Sequence, residues 1–97
     1  MQLGLVTYMW GADWDLPTLI KNLQLTGFAG VELRSGHKHG VEPSLSADDR
    51  KRVAAQFAAA GVELVGLGSA CEYHSPDPAV VKKNVEQTKD FIKLCHD

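Results

Sequence analysis

Ninety-seven residues allow one domain at most, of a size that buries about 60–70% of the surface its unfolded chain exposes. An apolar share of 44% against 23% charged is that of an ordinary globular protein, and a formal charge of −2 argues against a nucleic-acid arm or a polybasic membrane patch. Two cysteines, Cys71 and Cys95, make no disulfide framework and form no CxxC, which points to a reducing cytoplasmic setting with both thiols free.

The first stretch, Leu3 to Tyr8, is a continuous apolar run rich in β-formers and predicts a fully buried parallel strand. The residues around it lack a basic n-region and are broken by Gly, Trp and Asp, so no signal peptide is read there. No apolar run approaches the roughly 20 residues needed to span a bilayer. Asp15 then offers an N-cap, with Pro17 in the first turn where its missing N–H costs nothing. Leu16, Leu19, Ile20 and Leu23 repeat at helical spacing, and Gly27 suits a left-handed C-terminal cap, so a helix is predicted over 16–26.

Ala29 to Leu33 predicts the second strand, followed by a long loop from Arg34 to Leu45 that carries His37, Lys38 and His39. Ser46 caps a second helix, Asp48 and Asp49 favour the positive end of its dipole, and Gly61 ends it. Its inner face is read as Val53, Phe57 and Ala60. A third strand over Glu63–Leu67 runs into a polar loop with Ser69, Cys71, Glu72, Tyr73 and His74. Asp77-Pro78 opens a third helix, in which Val81, Val85, Thr88, Ile92 and Cys95 step by alternating fours and threes as one buried stripe.

Strict strand–helix alternation with short crossovers demands a parallel sheet. The fold class expected is therefore α/β, three consecutive βα units over about 3–27, 29–61 and 62–97. A three-stranded parallel sheet with helices on one side leaves two edges and a face bare, whereas such sheets are normally covered on both faces. The first part of a (β/α)8 TIM barrel resolves this, because the inner face of a closed barrel packs on itself. On that reading the chain is either truncated or completes itself by association. The repeated "GVEL" at Gly30–Leu33 and Gly61–Leu64 is out of phase with the strands. Glu32 thus falls at the strand end where barrel sites form, and Glu63 at the opposite end.

Candidate site residues cluster after the strands. Tyr8 and Trp10, with Trp14 nearby, form an aromatic wall suited to stacking on the apolar face of a ligand ring, or else core aromatics at a barrel mouth. Glu32 is read as a partner to a ligand hydroxyl or to a histidine it holds in place, or as half of a salt bridge with Arg34 two residues on. His37 and His39 suit metal chelation or substrate contact, against the plain alternative of a solvated loop. His74 is the candidate general acid or base, with Glu72 setting its tautomer and Ser69 beside it, or the three merely satisfy backbone donors at a helix entry. Cys71 reads as a small hydrophobe rather than a nucleophile. Gly66-Leu67-Gly68 lacks the third glycine of a dinucleotide fingerprint and more plausibly admits a ligand or a neighbouring backbone.

The stretches LGLVTYMWG, GFAGVELRSGHKHGVEP and GVELVGLGSACEYHSPDP resemble the N-terminal third of the xylose-isomerase-like TIM barrels. These are the sugar phosphate isomerase/epimerase proteins, which include endonuclease-IV-type repair enzymes. The resemblance implies a sugar or sugar-phosphate substrate and a divalent metal (Mn, Mg, Co or Zn) held by Glu, Asp and His. In the epimerase branch those ligands come mostly from later strands, so no complete metal site carries over. In the endonuclease branch a histidine after strand three ligates metal, and His74 holds a comparable place. The function expected is that of an N-terminal isomerase/epimerase portion supplying substrate-facing loops, inactive alone. The alternatives are a self-associating small α/β binding or structural module, and an endonuclease-IV-like fragment, which the acidic balance disfavours.

Overall fold

The protein is described here by a computed structural model covering residues 1–97. Its elements run β1 (Gly4–Val6), α1 (Leu16–Thr26), β2 (Gly30–Arg34), α2 (Ala47–Ala60), β3 (Glu63–Gly68) and α3 (Pro78–His96). The three strands form one parallel sheet in the order β1-β2-β3, so the fold is α/β as the alternation of patterns requires.

Local chemistry sets the helix ends. The Asp15 carboxylate accepts from the Thr18 N–H at 2.9 Å, and Gly27, at φ 77°, donates its N–H to the Leu23 carbonyl. Ser46 accepts from the Asp49 N–H at 3.1 Å, and Asp77 from the Ala79 N–H at 2.9 Å with Pro78 opening α3. No helix is long and apolar enough to cross a membrane.

The core lies on one side of the sheet. Leu19 and Leu23 from α1, Phe57 from α2 and Leu94 from α3 meet Val31 and Leu33 of β2, with Val41 and Val62 completing the cluster. Because side chains alternate along a strand, Gly30, Glu32 and Arg34 occupy the opposite face. That face has no covering layer. Only 11 of 97 residues are buried, and the accessible surface is 6520 Å², against about 5,400 Å² for a compact monomer of this mass.

One irregularity re-aims β3. Val31 pairs with Leu64 but Glu32 pairs with Gly66, which leaves Val65 as an extra residue in the strand. Beyond this bulge Leu67 falls opposite Leu33 on the core face, while Gly66 and Gly68 fall opposite Glu32 and Arg34. A Cβ on Gly30 would lie 2.8 Å from Val65 Cγ2, so the missing side chain at position 30 is what admits the bulge.

Two sequence expectations are corrected. β1 is only three residues long, and Leu3 and Val6 are exposed rather than buried, because this edge strand has one neighbour and one uncovered face. α3 buries the expected stripe only in part: Val81 and Thr88 are partly buried, but Val85, Ile92 and Cys95 are exposed, and Phe91 and Leu94 pack on the core instead. The helix is thus seated on a face rotated from the one its apolar spacing suggests.

Candidate functional site

The strands deliver their C-terminal ends side by side. Thr7 N–H donates to the Glu32 carbonyl at 3.1 Å and Ser35 N–H to the Gly68 carbonyl at 2.7 Å, so the ladder continues past the strands into their loops. On the uncovered face at this end stand Tyr8, Glu32 and Arg34. The Arg34 guanidinium lies over the Tyr8 ring, 5.0 Å from its centroid. Glu32 and Arg34 make no ion pair: every ion pair in the protein lies elsewhere. The Glu32 carboxylate instead leans across Gly68, where a Cβ would come within 2.9 Å of Glu32 Oε1 and 3.4 Å of Arg34 Cδ. The second glycine of the Gly66–Gly68 pair thus makes room for side chains of β2.

Beneath this face a set of hydrogen bonds fixes the Arg34 backbone. Its N–H donates to the Thr7 hydroxyl at 2.9 Å, and its carbonyl accepts from His39 Nε2 at 2.8 Å. His39 is only 6% exposed, and its Nδ1 accepts from the Val41 N–H at 2.9 Å. Both nitrogens are therefore consumed within the loop, and burial holds the imidazole below the usual histidine range. His39 shapes the Arg34–Leu45 loop; it has no lone pair left for a metal and no N–H left for a substrate. In this arrangement neither His39 nitrogen is free to join His37 on a metal.

His37 is half-buried, edge-on to His39 at 6.1 Å between centroids, with Nδ1 3.1 Å from the Thr7 hydroxyl. The neighbouring Lys38 N–H donates to the Ala12 carbonyl, which ties this loop to the one after β1. In that first loop Trp14 packs on the core, and its ring closes over Gly11. Trp10 is exposed. Of the aromatic wall, then, Trp14 is a core residue and Tyr8 and Trp10 face outward.

The loop after β3 is arranged differently. The Tyr73 hydroxyl bonds Thr88 of α3, and Cys71 Sγ approaches Gln87. Those anchors leave Glu72 and His74 in solvent, with side chains 70% and 81% exposed. His74 Nδ1 stands 3.7 Å from Glu72 Oε2, a pair that solvent screening leaves weakly coupled. Ser69 Oγ accepts from the Cys71 N–H at 3.4 Å, a contact within its own loop.

A cleft of about 520 Å³ opens between the β2–α2 loop, the start of the β3–α3 loop and α3. Ser35, Gly36, Glu42, Cys71, Gln87 and Asp90 are among its walls, and none of the candidate residues read from the sequence lines it. Glu42 is held there by the Gly36 N–H at 2.5 Å. No three His, Cys, Asp or Glu side chains are grouped so as to hold a metal ion.

Sequence reasoning missed Thr7 and Arg34 as site-forming residues. Thr7 was legible in principle, as the hydroxyl-bearing residue that interrupts the apolar run Leu3–Tyr8; the structure buries it fully. No family model matches this chain, and no solved structure matches it at a significant level.

Proposed function

We propose that this chain forms the first three βα units of a (β/α)8 barrel of the xylose-isomerase-like type, and that it supplies substrate-facing loops of a sugar or sugar-phosphate isomerase/epimerase. The observation that carries the reading is the group Tyr8, Arg34 and Glu32 at the C-terminal strand ends, on the face the helices leave uncovered. In a barrel this is the end where sites form. An aromatic ring can stack on the apolar face of a sugar, a guanidinium binds phosphate or hydroxyl oxygens through a rigid fork, and a carboxylate accepts from a hydroxyl. Glu32, with glycines at 66 opposite it and at 68 beside its carboxylate, has the space to turn toward such a ligand.

In this role Tyr8 and Arg34 bind and orient, and Glu32 fixes a hydroxyl. His74, with neither ring nitrogen in a hydrogen bond, is the candidate proton-transfer residue in this reading. A divalent metal would polarise the substrate carbonyl in such chemistry. The residues present do not assemble a ligand set for one.

Proton–nitrogen correlation spectra of the 97-residue protein, titrated with a ketose phosphate and separately with inorganic phosphate, test the reading. Shifts confined to Tyr8, Glu32, Arg34, His37 and Gly68 are expected, and Arg34→Ala should abolish them. Unchanged spectra at millimolar ligand, or shifts confined to the cleft beside Cys71, would sink it. Turnover by this chain alone is expected to be absent.

A second reading, self-association through open sheet edges, is favoured by a different feature. The free edge of β3 borders an apolar groove of about 340 Å³, walled by Val41, Leu45, Val53, Leu64, Leu67 and Leu94. Unpaired strand edges beside apolar surface invite pairing. Light scattering across a micromolar concentration series decides it: a constant monomer mass removes this reading.

A further inference from the structure

We propose that Thr7 is a positioning residue that sets the tautomer of His37, so that the ring meets ligands as an Nε2–H donor to oxygen and not as a metal ligand or a base.

The argument is one of hydrogen-bond accounting. The Thr7 hydroxyl is fully buried and has two neighbours, the Arg34 N–H at 2.9 Å and His37 Nδ1 at 3.1 Å. The Arg34 N–H can only donate, so it occupies one lone pair of Thr7 Oγ1. The hydroxyl carries a proton of its own, and no carbonyl or carboxylate stands within reach to accept it. His37 Nδ1 is the sole acceptor available. Were Nδ1 protonated instead, two donors would point at Oγ1 and the hydroxyl proton would be stranded in the core, which buried polar groups avoid. Thr7 therefore donates to Nδ1, and the neutral ring carries its proton on Nε2.

The remaining face of the ring agrees with this. His37 Nε2 has no partner within the protein, and the ring is only half-buried at the strand ends. His39 next door holds the same tautomer for the same kind of reason, since its Nδ1 accepts from Val41 and its Nε2 donates to Arg34. The two rings have the same proton placement, yet only His37 presents its N–H outward. An outward N–H donor suits a hydroxyl, carbonyl or phosphoryl oxygen. The ligand class deepens the functional reading above and rests on it; the tautomer does not.

Protein labelled with nitrogen-15 at histidine, held at alkaline pH where neutral rings predominate, tests this through two-bond proton–nitrogen correlations. His37 is expected to show a single pattern with Nε2 protonated and Nδ1 bare. Thr7→Ser should keep that pattern, whereas Thr7→Val should draw the two ring-nitrogen shifts toward each other as the tautomers average. Zinc ion added to the wild-type protein at submillimolar concentration should leave the His37 signals in place. An Nδ1-protonated His37, a folded Thr7→Val protein with an unchanged pattern, or zinc displacing the Nε2 proton would each overturn the proposal. Because the wild-type spectrum decides on its own, a Thr7→Val protein that fails to fold does not shield it. A correct tautomer with no sugar or phosphate response would count against the functional reading alone.

Discussion

His39 donates from Nε2 to the Arg34 carbonyl across 2.8 Å, so a buried imidazole fixes the backbone of the residue whose guanidinium covers Tyr8. With Thr7 holding the Arg34 N–H, both polar groups of one peptide position are bonded to side chains from other segments. The exposed group at the strand ends thus stands on a buried polar support, and that support makes the fold sensitive to pH.

The sign follows from burial. Desolvation is the largest influence on His39 and lowers its folded pKa, against the opposing pull of the Arg34 carbonyl and the Glu42 charge. The unfolded ring takes up a proton near pH 6.5, while the folded ring resists until lower pH. Stability is therefore full above about 6.5, and is lost as pH falls from there toward the folded pKa, where the loss levels off. The urea midpoint should decline on acidification from about pH 7 to about pH 5. His39→Gln should be less stable at neutral pH but show a flatter decline. An equally steep decline in that variant would exonerate His39.

Gly68 and Gly30 make a matched pair of probes. Alanine at 68 meets Glu32 Oε1 at 2.9 Å and Arg34 Cδ at 3.4 Å, both flexible side-chain atoms that can swing away. Gly68→Ala should change stability by less than about 1 kcal/mol while displacing the Glu32 carboxylate and weakening any ligand bound there. Alanine at 30 meets Val65 Cγ2 at 2.8 Å and the Glu63 carbonyl at 3.2 Å, inside the sheet. Gly30→Ala should cost about 1–3 kcal/mol through overpacking. Chemical denaturation of the two variants side by side gives the comparison, and similar losses would contradict the placement of Glu32.

Arg50 links three segments from the first turn of α2. Its guanidinium donates to the carbonyls of Pro43 and Leu45 at 2.7 and 3.1 Å, and to the Asp97 carboxylate at 2.6 Å. The arginine in turn holds the Asp97 carboxyl below the usual carboxylate range. Arg50→Ala should cost about 1.5–3 kcal/mol, the range for hydrogen bonds to a charged group. Arg50→Lys should recover little of it, since one ammonium cannot reproduce the fork. Amide exchange should quicken over residues 42–45 in both variants, and a lysine variant with native protection there would refute this account.

Helix ends were readable in the sequence because caps are local. Asp15, Gly27, Ser46, Gly61 and Asp77-Pro78 act within a few residues of themselves and mark the observed boundaries. Strand direction followed from alternation. Positions that depend on distant neighbours were not readable. Two histidines at i, i+2 look alike on paper, yet His39 is buried by contacts to Arg34 and Val41 while His37 turns to Thr7, thirty residues away in sequence. The extra residue Val65 is visible only in the pairing of β2 with β3. His74 has the chemistry of a site residue, but anchors at Tyr73 and Cys71 that no spacing discloses leave it in solvent.

The face that α3 buries gives the last test, because its hydrophobic pattern supports two answers. A helix seated on the whole stripe Val81, Val85, Thr88, Ile92 and Cys95 would lose heavily on truncation of Ile92. In the structure Ile92 is 63% exposed and Leu94 only 7%, with Leu94 in the core beside Phe57 and Val62. Leu94→Ala should then cost about 2–5 kcal/mol through lost transfer energy and a residual cavity. Total stability of a chain this long is about 5–15 kcal/mol, so that loss is a large share of the whole. Ile92→Ala should stay within about 0.5 kcal/mol, as surface changes do. Urea melts of the two variants at low protein concentration distinguish the seatings. A large Ile92 effect confined to high concentration would place that residue in contact with a second copy, which is what the edge-pairing reading requires.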